Sequence, residues 1–254
     1  MQPEIDLGPI TLQTFGLMFG LAFIAAGWLL WKRFGELDRV PDWSYEMAFV
    51  AALGGLIGSR IDFLIQNWDE VSDDILGSLF SGSGLVWYGG VIGGALAVIL
   101  WARWRGILNL GLLDLAAAPL ALGYAIGRIG CQLSGDGDYG VPWDGPWAMA
   151  YPNGTVPTTE EVHPTPVYET LAMGGVAWLL WSWRDRFPLG VLFGIYLTLA
   201  GLERFLIEFI RRNEDVALGL TQAQFFSIAM FVLGAAMIWL WRRRPVPAER
   251  AARL

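Results

Sequence analysis

Apolar residues run for roughly 20 positions at a time along this chain, and a short polar segment closes each run. The pattern predicts helical spans over roughly 10–31, 44–66, 84–102, 108–130, 166–183, 188–210 and 220–241. A hydrocarbon core about 30 Å thick takes about 20 residues of helix, so each run is long enough to cross a bilayer. Between about 131 and 165 the pattern changes. Gly, Pro and aromatic residues fill the longest connection there, long enough to fold over a membrane surface. The expected architecture is an all-α integral membrane protein: about seven transmembrane helices in one polytopic domain over 1–254, with a loop region at about 131–165.

Composition supports this frame. Hydrophobic residues make up 55% of the 254 positions and charged residues only 16%, against about a quarter charged in soluble domains. The net charge of −7 says less than where the charges lie. Lys32, Arg33, Arg39, Arg103, Arg105, Arg184, Arg186, Arg242, Arg243, Arg244, Arg250 and Arg253 fall in the odd-numbered loops and the tail, while the even loops carry only Arg211 and Arg212. By the positive-inside rule the amino terminus lies outside and the carboxyl terminus in the cytoplasm. Asp69, Glu70, Asp73, Asp74, Asp136, Asp138, Glu160 and Glu161 then crowd the outer loops. Glu4 and Asp6 stand where a signal peptide has a basic segment, so the first span is expected to be retained. The single cysteine, Cys131, excludes an internal disulfide. Small residues four apart, Gly54 with Gly58, Gly90 with Gly94 and Gly123 with Gly127, read as close helix contacts.

Three basic residues remain inside the predicted spans: Arg60, Arg128 and Arg204. All three fall in the outer half of spans that run from inside to outside. An arginine at mid-membrane costs roughly 3 kcal/mol on the insertion scale, so these charges need partners or a watery cavity. One reading is internal pairing, with Glu208 for Arg204, Asp62 for Arg60, and Asp136 or Asp138 for Arg128. The other is an anion site, because a guanidinium offers a fork of donors that matches phosphate oxygens. At that depth the available phosphate is a lipid head group. Thr11, Gln13, Thr14, Tyr88, Tyr168, Glu169, Gln222 and Gln224 share the level, whereas the inner half has chiefly Asn109 and Asp114.

The segment Gly127-Arg128-Ile129-Gly130-Cys131-Gln132-Leu133-Ser134-Gly135-Asp136-Gly137-Asp138-Tyr139-Gly140 resembles the signature of the prolipoprotein diacylglyceryl transferases. Leu7-Gly8-Pro9, Phe15-Gly16-Leu17-Met18, Gly58-Ser59-Arg60-Ile61, Trp87-Tyr88-Gly89-Gly90, His163-Pro164-Thr165-Pro166-Val167-Tyr168-Glu169 and Arg204-Phe205-Leu206-Ile207-Glu208-Phe209-Ile210-Arg211 follow the family's order. The resemblance spans nearly the whole chain. It implies transfer of the diacylglyceryl group of phosphatidylglycerol to the lipobox cysteine of a prolipoprotein signal peptide, forming a thioether and releasing glycerol phosphate.

The resemblance also implies a bacterial inner-membrane location with the site towards the outer leaflet, and it maps the family's essential arginines to Arg128 and Arg204. The candidate catalytic residues are Arg128, Arg204 and Tyr88. The candidate substrate-binding residues are Arg60, Arg128, Arg204, Glu208, Asp136, Gly89 and Gly90. Membrane lipids are the surrounding partner; no metal, cofactor or nucleic acid is expected. The alternative is a relative that binds or moves anionic lipid without transferase chemistry.

Three departures stand out: Tyr88 where well-known members have a histidine, Cys131 for a common asparagine, and Phe15 for a common tyrosine. A tyrosine with an ordinary pKa of about 10 is a poor base at neutral pH. The expectation is therefore that surrounding positive charge ionises the substrate thiol, with Tyr88 positioning lipid or thiol. His163, the only histidine, reads as a structural hydrogen-bonding residue before Pro164, and Glu208 as the partner that holds Arg204.

Overall fold

The computed structural model describes residues 1–6, 8, 11–68 and 86–248, apart from the Trp87 side chain. Leu7, Pro9, Asp69, Glu70, Asp73, Asp74, Arg250 and Arg253, singled out above, lie outside the described residues. Seven α-helices occur among the described residues: α1 (Thr14–Glu36), α2 (Trp43–Gln66), α3 (Trp87–Arg105), α4 (Leu110–Ser134), α5 (Thr165–Trp183), α6 (Val191–Ile207) and α7 (Gln222–Trp241). Four of them, α1, α2, α4 and α7, are long and apolar enough to cross a membrane. Large side chains such as Phe49, Leu100, Trp104, Leu171, Trp178 and Trp239 face outward and are at least 65% exposed, a surface suited to lipid rather than water.

Several helices run past the apolar segments that announce them. Lys32 and Arg33 belong to the end of α1, and Arg103 and Arg105 to the last turn of α3. Cys131–Ser134, expected at the start of the long loop, complete α4. Helical hydrogen bonding continues into polar surroundings until a residue leaves the helical conformation. Gly106 at φ 72° does this for α3, and Gly135 at φ 59° for α4.

The polar residues of the other end act as caps. The Asn109 side chain accepts from the Gly111 and Leu112 amides at 2.7 and 3.3 Å and starts α4. Asp114, on α4, accepts from the Gly190 and Phe193 amides at 2.7 and 2.9 Å and so fixes the start of α6. Beside them, buried Arg33 pairs with Glu36 and Asp185, and Arg184 also reaches Glu36 at 2.8 Å, joining α1 to the end of α5.

The most extensive helix contacts are α2 with α3, α6 with α7, α1 with α4 and α4 with α5. The first rests on glycine. A Cβ on Gly58 would fall on the Gly89 carbonyl, and one on Gly93 on the Gly54 carbonyl. Gly54 and Gly58 therefore make the expected close contact, against Gly93 and Gly89, and Gly94 also packs on α2, a Cβ there lying 3.1 Å from the Ala51 carbonyl. With glycines at 89, 90, 93 and 94, spacing alone offers two faces one position apart. The Gly123 and Gly127 pair makes no such contact, since nothing lies within 4 Å of a Cβ built on Gly127.

A core of Leu29, Ala117, Ala121, Ala125, Met173, Leu180, Leu192 and Ala200 joins α1, α4, α5 and α6. A second, around Phe34, Met47, Trp101 and Leu112, joins α1 to α4 through α2 and α3. Short hairpins sit at the opposite end from the caps. β1 (Glu4–Asp6) pairs with β2 (Thr11–Gln13), β3 (Met149–Tyr151) with β4 (Thr158–Val162), and β5 (Asp215–Ala217) with β6 (Leu220–Thr221). Stacked Tyr139 and Tyr151 with Val162 give the long loop its own small core.

Candidate active site

At the hairpin end, α3, α4, α5, α6 and α7 surround a cavity of about 370 Å³. Tyr88, Tyr124, Arg128, Asp138, Glu203, Arg204 and Arg211 line its polar part, and Met173, Tyr196, Ala200, Phe226 and Met230 its apolar part. The chamber thus offers charge to one end of a ligand and hydrocarbon to the other. Its volume is that of a small-molecule site.

Glu169, one turn into α5, is the centre of the charged wall. Its carboxylate is fully buried and meets Arg128 Nε at 2.6 Å, Arg211 Nη1 at 3.1 Å and Arg204 Nη1 at 3.9 Å, and it accepts from the Tyr124 hydroxyl. Arg128 Nη2 donates to the Tyr124 oxygen at 3.0 Å. Asp138 accepts from both Arg128 and Arg211. Burial alone raises the Asp138 carboxyl, but the two guanidinium groups outweigh it and hold it below the ordinary carboxylate range. Neighbouring Asp136 has no arginine bonded to it among the described residues; burial and the charge of Asp138 raise it.

Glu208 stands behind Arg204. It pairs with Arg204 Nη2 at 3.0 Å, and its other oxygen accepts from Asn213 at 2.6 Å and Thr221 Oγ1 at 2.8 Å. Thr221 is also the N-cap of α7, where it and Gln224 form a capping box, so the start of α7 orients the carboxylate that orients Arg204.

These partners leave the arginines unequal. Side-chain exposure falls from 23% for Arg204 to 14% for Arg128 and 7% for Arg211. Arg204 has ion pairs but no hydrogen bond among the described residues, and its buried Nη1 is unsatisfied because the 3.9 Å contact to Glu169 is too long. A fork held by charge with its donors unspent is ready for an oxyanion.

Of the residues named from sequence, Tyr88, Arg128 and Arg204 line the cavity together, with Glu208 behind. Arg60 is buried on α2 but is not part of that lining. Gly89 and Gly90 lie in the α2–α3 contact region, where Asp62 accepts from the Gly89 amide at 2.9 Å and from Gln66 at 3.0 Å. Asp136 lies beside buried Cys131, outside the lining. Cys131, Asp136 and Asp138 bring possible ligand atoms within 4.8 Å of one another, but both Asp138 oxygens are spent on arginines. Phe15 packs towards Gly130 near the end of α4.

His163 stacks on Trp143 at 4.4 Å, and its Nδ1 lies 3.3 Å from the Tyr168 hydroxyl. Sequence reasoning missed Arg211, Tyr124 and Glu203 as cavity residues and Glu169 as the carboxylate that joins the arginines. For Arg211 the signal was its place at the end of the Arg204–Arg211 motif. For Tyr124 the signal was its place one turn before Arg128 on α4, whereas Glu169 meets its arginines from other helices and Glu203 has no pairing to announce it.

Comparison with known proteins agrees with the family that these motifs resemble. Residues 3–240 match the family model for prolipoprotein diacylglyceryl transferase. The chain is 33% identical to the phosphatidylglycerol–prolipoprotein diacylglyceryl transferase of Chromohalobacter salexigens, covering 98% of this chain and 97% of that protein. It is 34% identical to the protein of the same name from Dehalococcoides mccartyi, over 94% and 92% of the two chains. The corresponding figures for the Clostridium tetani protein of that name are 32%, 92% and 95%. The chain belongs to the prolipoprotein diacylglyceryl transferase family.

Proposed function

We propose that this chain transfers the diacylglyceryl group of phosphatidylglycerol to the lipobox cysteine thiol of prolipoprotein signal peptides, forming a thioether and releasing glycerol phosphate. The observation that carries this reading is the Arg204 guanidinium, held by Glu208 and Glu169 at the cavity wall with no hydrogen bond among the described residues. The names of the relatives supply the substrates that such a fork would meet.

In this reading the lipid phosphate lies against Arg204 and Arg128, and the acyl chains leave along Met173, Ala200 and Met230. The thiolate attacks the glycerol carbon that bears the phosphate ester. A C–S bond forms, the C–O bond breaks, and its electron pair leaves on the phosphate oxygen. Arg204 and Arg128 stabilise that growing charge without reorganising, since their partners already hold them. Glu169, Asp138 and Arg211 keep the wall in place.

The same reading treats the chain as one domain of seven spans in the bacterial inner membrane, with its amino terminus outside and its carboxyl terminus in the cytoplasm. The basic residues at the Arg33–Arg184 end support that orientation, and it puts the cavity at outer-leaflet depth. Arg60, Gly89 and Gly90 then support the α2–α3 wall, and Asp136 the start of the loop below Arg128.

The test is direct. Purified protein in vesicles containing phosphatidylglycerol is given a lipobox peptide, and peptide mass and released glycerol phosphate are measured. A mass gain equal to the diacylglyceryl group, matched by glycerol phosphate, is expected. Lipid binding without mass gain would overturn the transferase reading.

A further inference from the structure

The cavity holds one carboxylate that no arginine has claimed. Asp138 is bound by Arg128 and Arg211, Glu169 by Arg128 and Arg211, and Glu208 by Arg204, Asn213 and Thr221. Glu203, on α6 one residue before Arg204, lines the same chamber within the field of Arg128, Arg204 and Arg211 but makes no hydrogen bond or ion pair among the described residues. Its lone pairs are therefore unspent. The substrate thiol must lose a proton before it attacks, and Tyr88, which lines the same chamber, carries a hydroxyl with little basicity.

We propose that Glu203 is the general base of this chain, taking the thiol proton and passing it to the departing glycerol phosphate. The assignment rests on the transferase reading above. The step balances. The S–H proton moves to the Glu203 carboxylate as the sulfur pair forms the C–S bond. The C–O pair leaves on the phosphate, and the carboxylic acid returns the proton to that oxygen. Glu203 is next in sequence to Arg204, so the base and the phosphate clamp sit on one rigid helix, and the α6–α7 contact fixes both. The charged and titratable groups around it are Glu169 from α5, Arg128 and Tyr124 from α4, Tyr88 from α3, Arg204 on its own helix, and Arg211 beyond it.

A base can be told from a positioning group by changing the acidity of the substrate. The full chain in phosphatidylglycerol vesicles is assayed with a lipobox peptide and with the same peptide carrying selenocysteine, whose selenol is ionised at neutral pH without help. Glu203→Gln, which keeps the shape, is expected to lose on the order of 100-fold on the cysteine peptide at pH 7. On the selenocysteine peptide it is expected to match the wild type within a few fold. Its residual cysteine rate should climb about tenfold per pH unit towards the ordinary thiol value of about 8.5, while the wild-type rate climbs less. A Glu203→Gln chain impaired equally on both peptides overturns the base and leaves a positioning residue. So does a Glu203→Gln chain of wild-type rate beside an inactive Tyr88→Phe. A wild-type chain that modifies neither peptide overturns the transferase reading itself.

Discussion

Glu169 is the residue whose loss the structure prices most directly. It is fully buried and touches Arg128 and Arg211 within 3.1 Å, with Arg204 at 3.9 Å, so Glu169→Gln leaves three guanidinium groups facing one another around a neutral amide. Removing one partner from a buried ion pair costs about 3–5 kcal/mol, because the remaining charge stays desolvated. Asp138 and Glu208 still hold their own contacts with the arginines, which puts the expected cost near the lower end. For a chain of this size that is a fall in melting temperature of about 10 °C. The assay is thermal unfolding in detergent at one scan rate, with Glu160→Gln as control. Glu160 pairs with Arg212 at 3.1 Å but is 61% exposed, and such pairs contribute about 1 kcal/mol or less. If Glu169→Gln melts as close to wild type as the control does, Glu169 does not bind the wall together, and the arginines are held some other way.

Other outcomes follow from the same contacts. Arg204→Lys keeps the charge and loses the fork, so kcat/KM for phosphatidylglycerol should fall about 10- to 100-fold with the melting temperature changed by little, as peptide mass and melting curves will show. Gly58→Ala places a methyl on the Gly89 carbonyl and should cost about 1–3 kcal/mol by overpacking. Gly174→Ala meets open space and should be neutral or slightly stabilising; melting curves of the pair separate the two. Asp138 has a folded pKa below its unfolded value, so its contribution to stability is full above the ordinary value of about 3.9 and is lost as pH falls through the lowered one. Asp138→Asn should remove that acid limb from a plot of melting temperature against pH.

Hydrophobic run lengths located the helices because burial in lipid is read locally, residue by residue. They could not show where the helices stop, since Lys32, Arg33, Arg103 and Arg105 keep helical hydrogen bonds after the apolar run has ended. The site divides along the same line. Arg128 and Arg204 were visible as charges within apolar segments, and Glu208 as a neighbour one turn from Arg204. Glu169 and Glu203 are both glutamates on apolar helices, yet what separates them is which arginines reach them from α4, α6 and beyond. Spacing along one helix contains no such information.

The division has a consequence for the chemistry. A clamp for phosphate needs cations whose countercharges are already paired, or the ligand competes with the protein's own carboxylates. Glu169 and Glu208 meet that need from behind the lining and Asp138 at the wall itself, where it pairs with Arg128 and Arg211, while Arg204 makes no hydrogen bond among the described residues. A fourth carboxylate in the same wall would weaken an anion site if binding were its only task. Glu203 therefore makes physical sense where a proton must be taken up as the phosphate leaves, and a protein that merely held the lipid would gain by losing it.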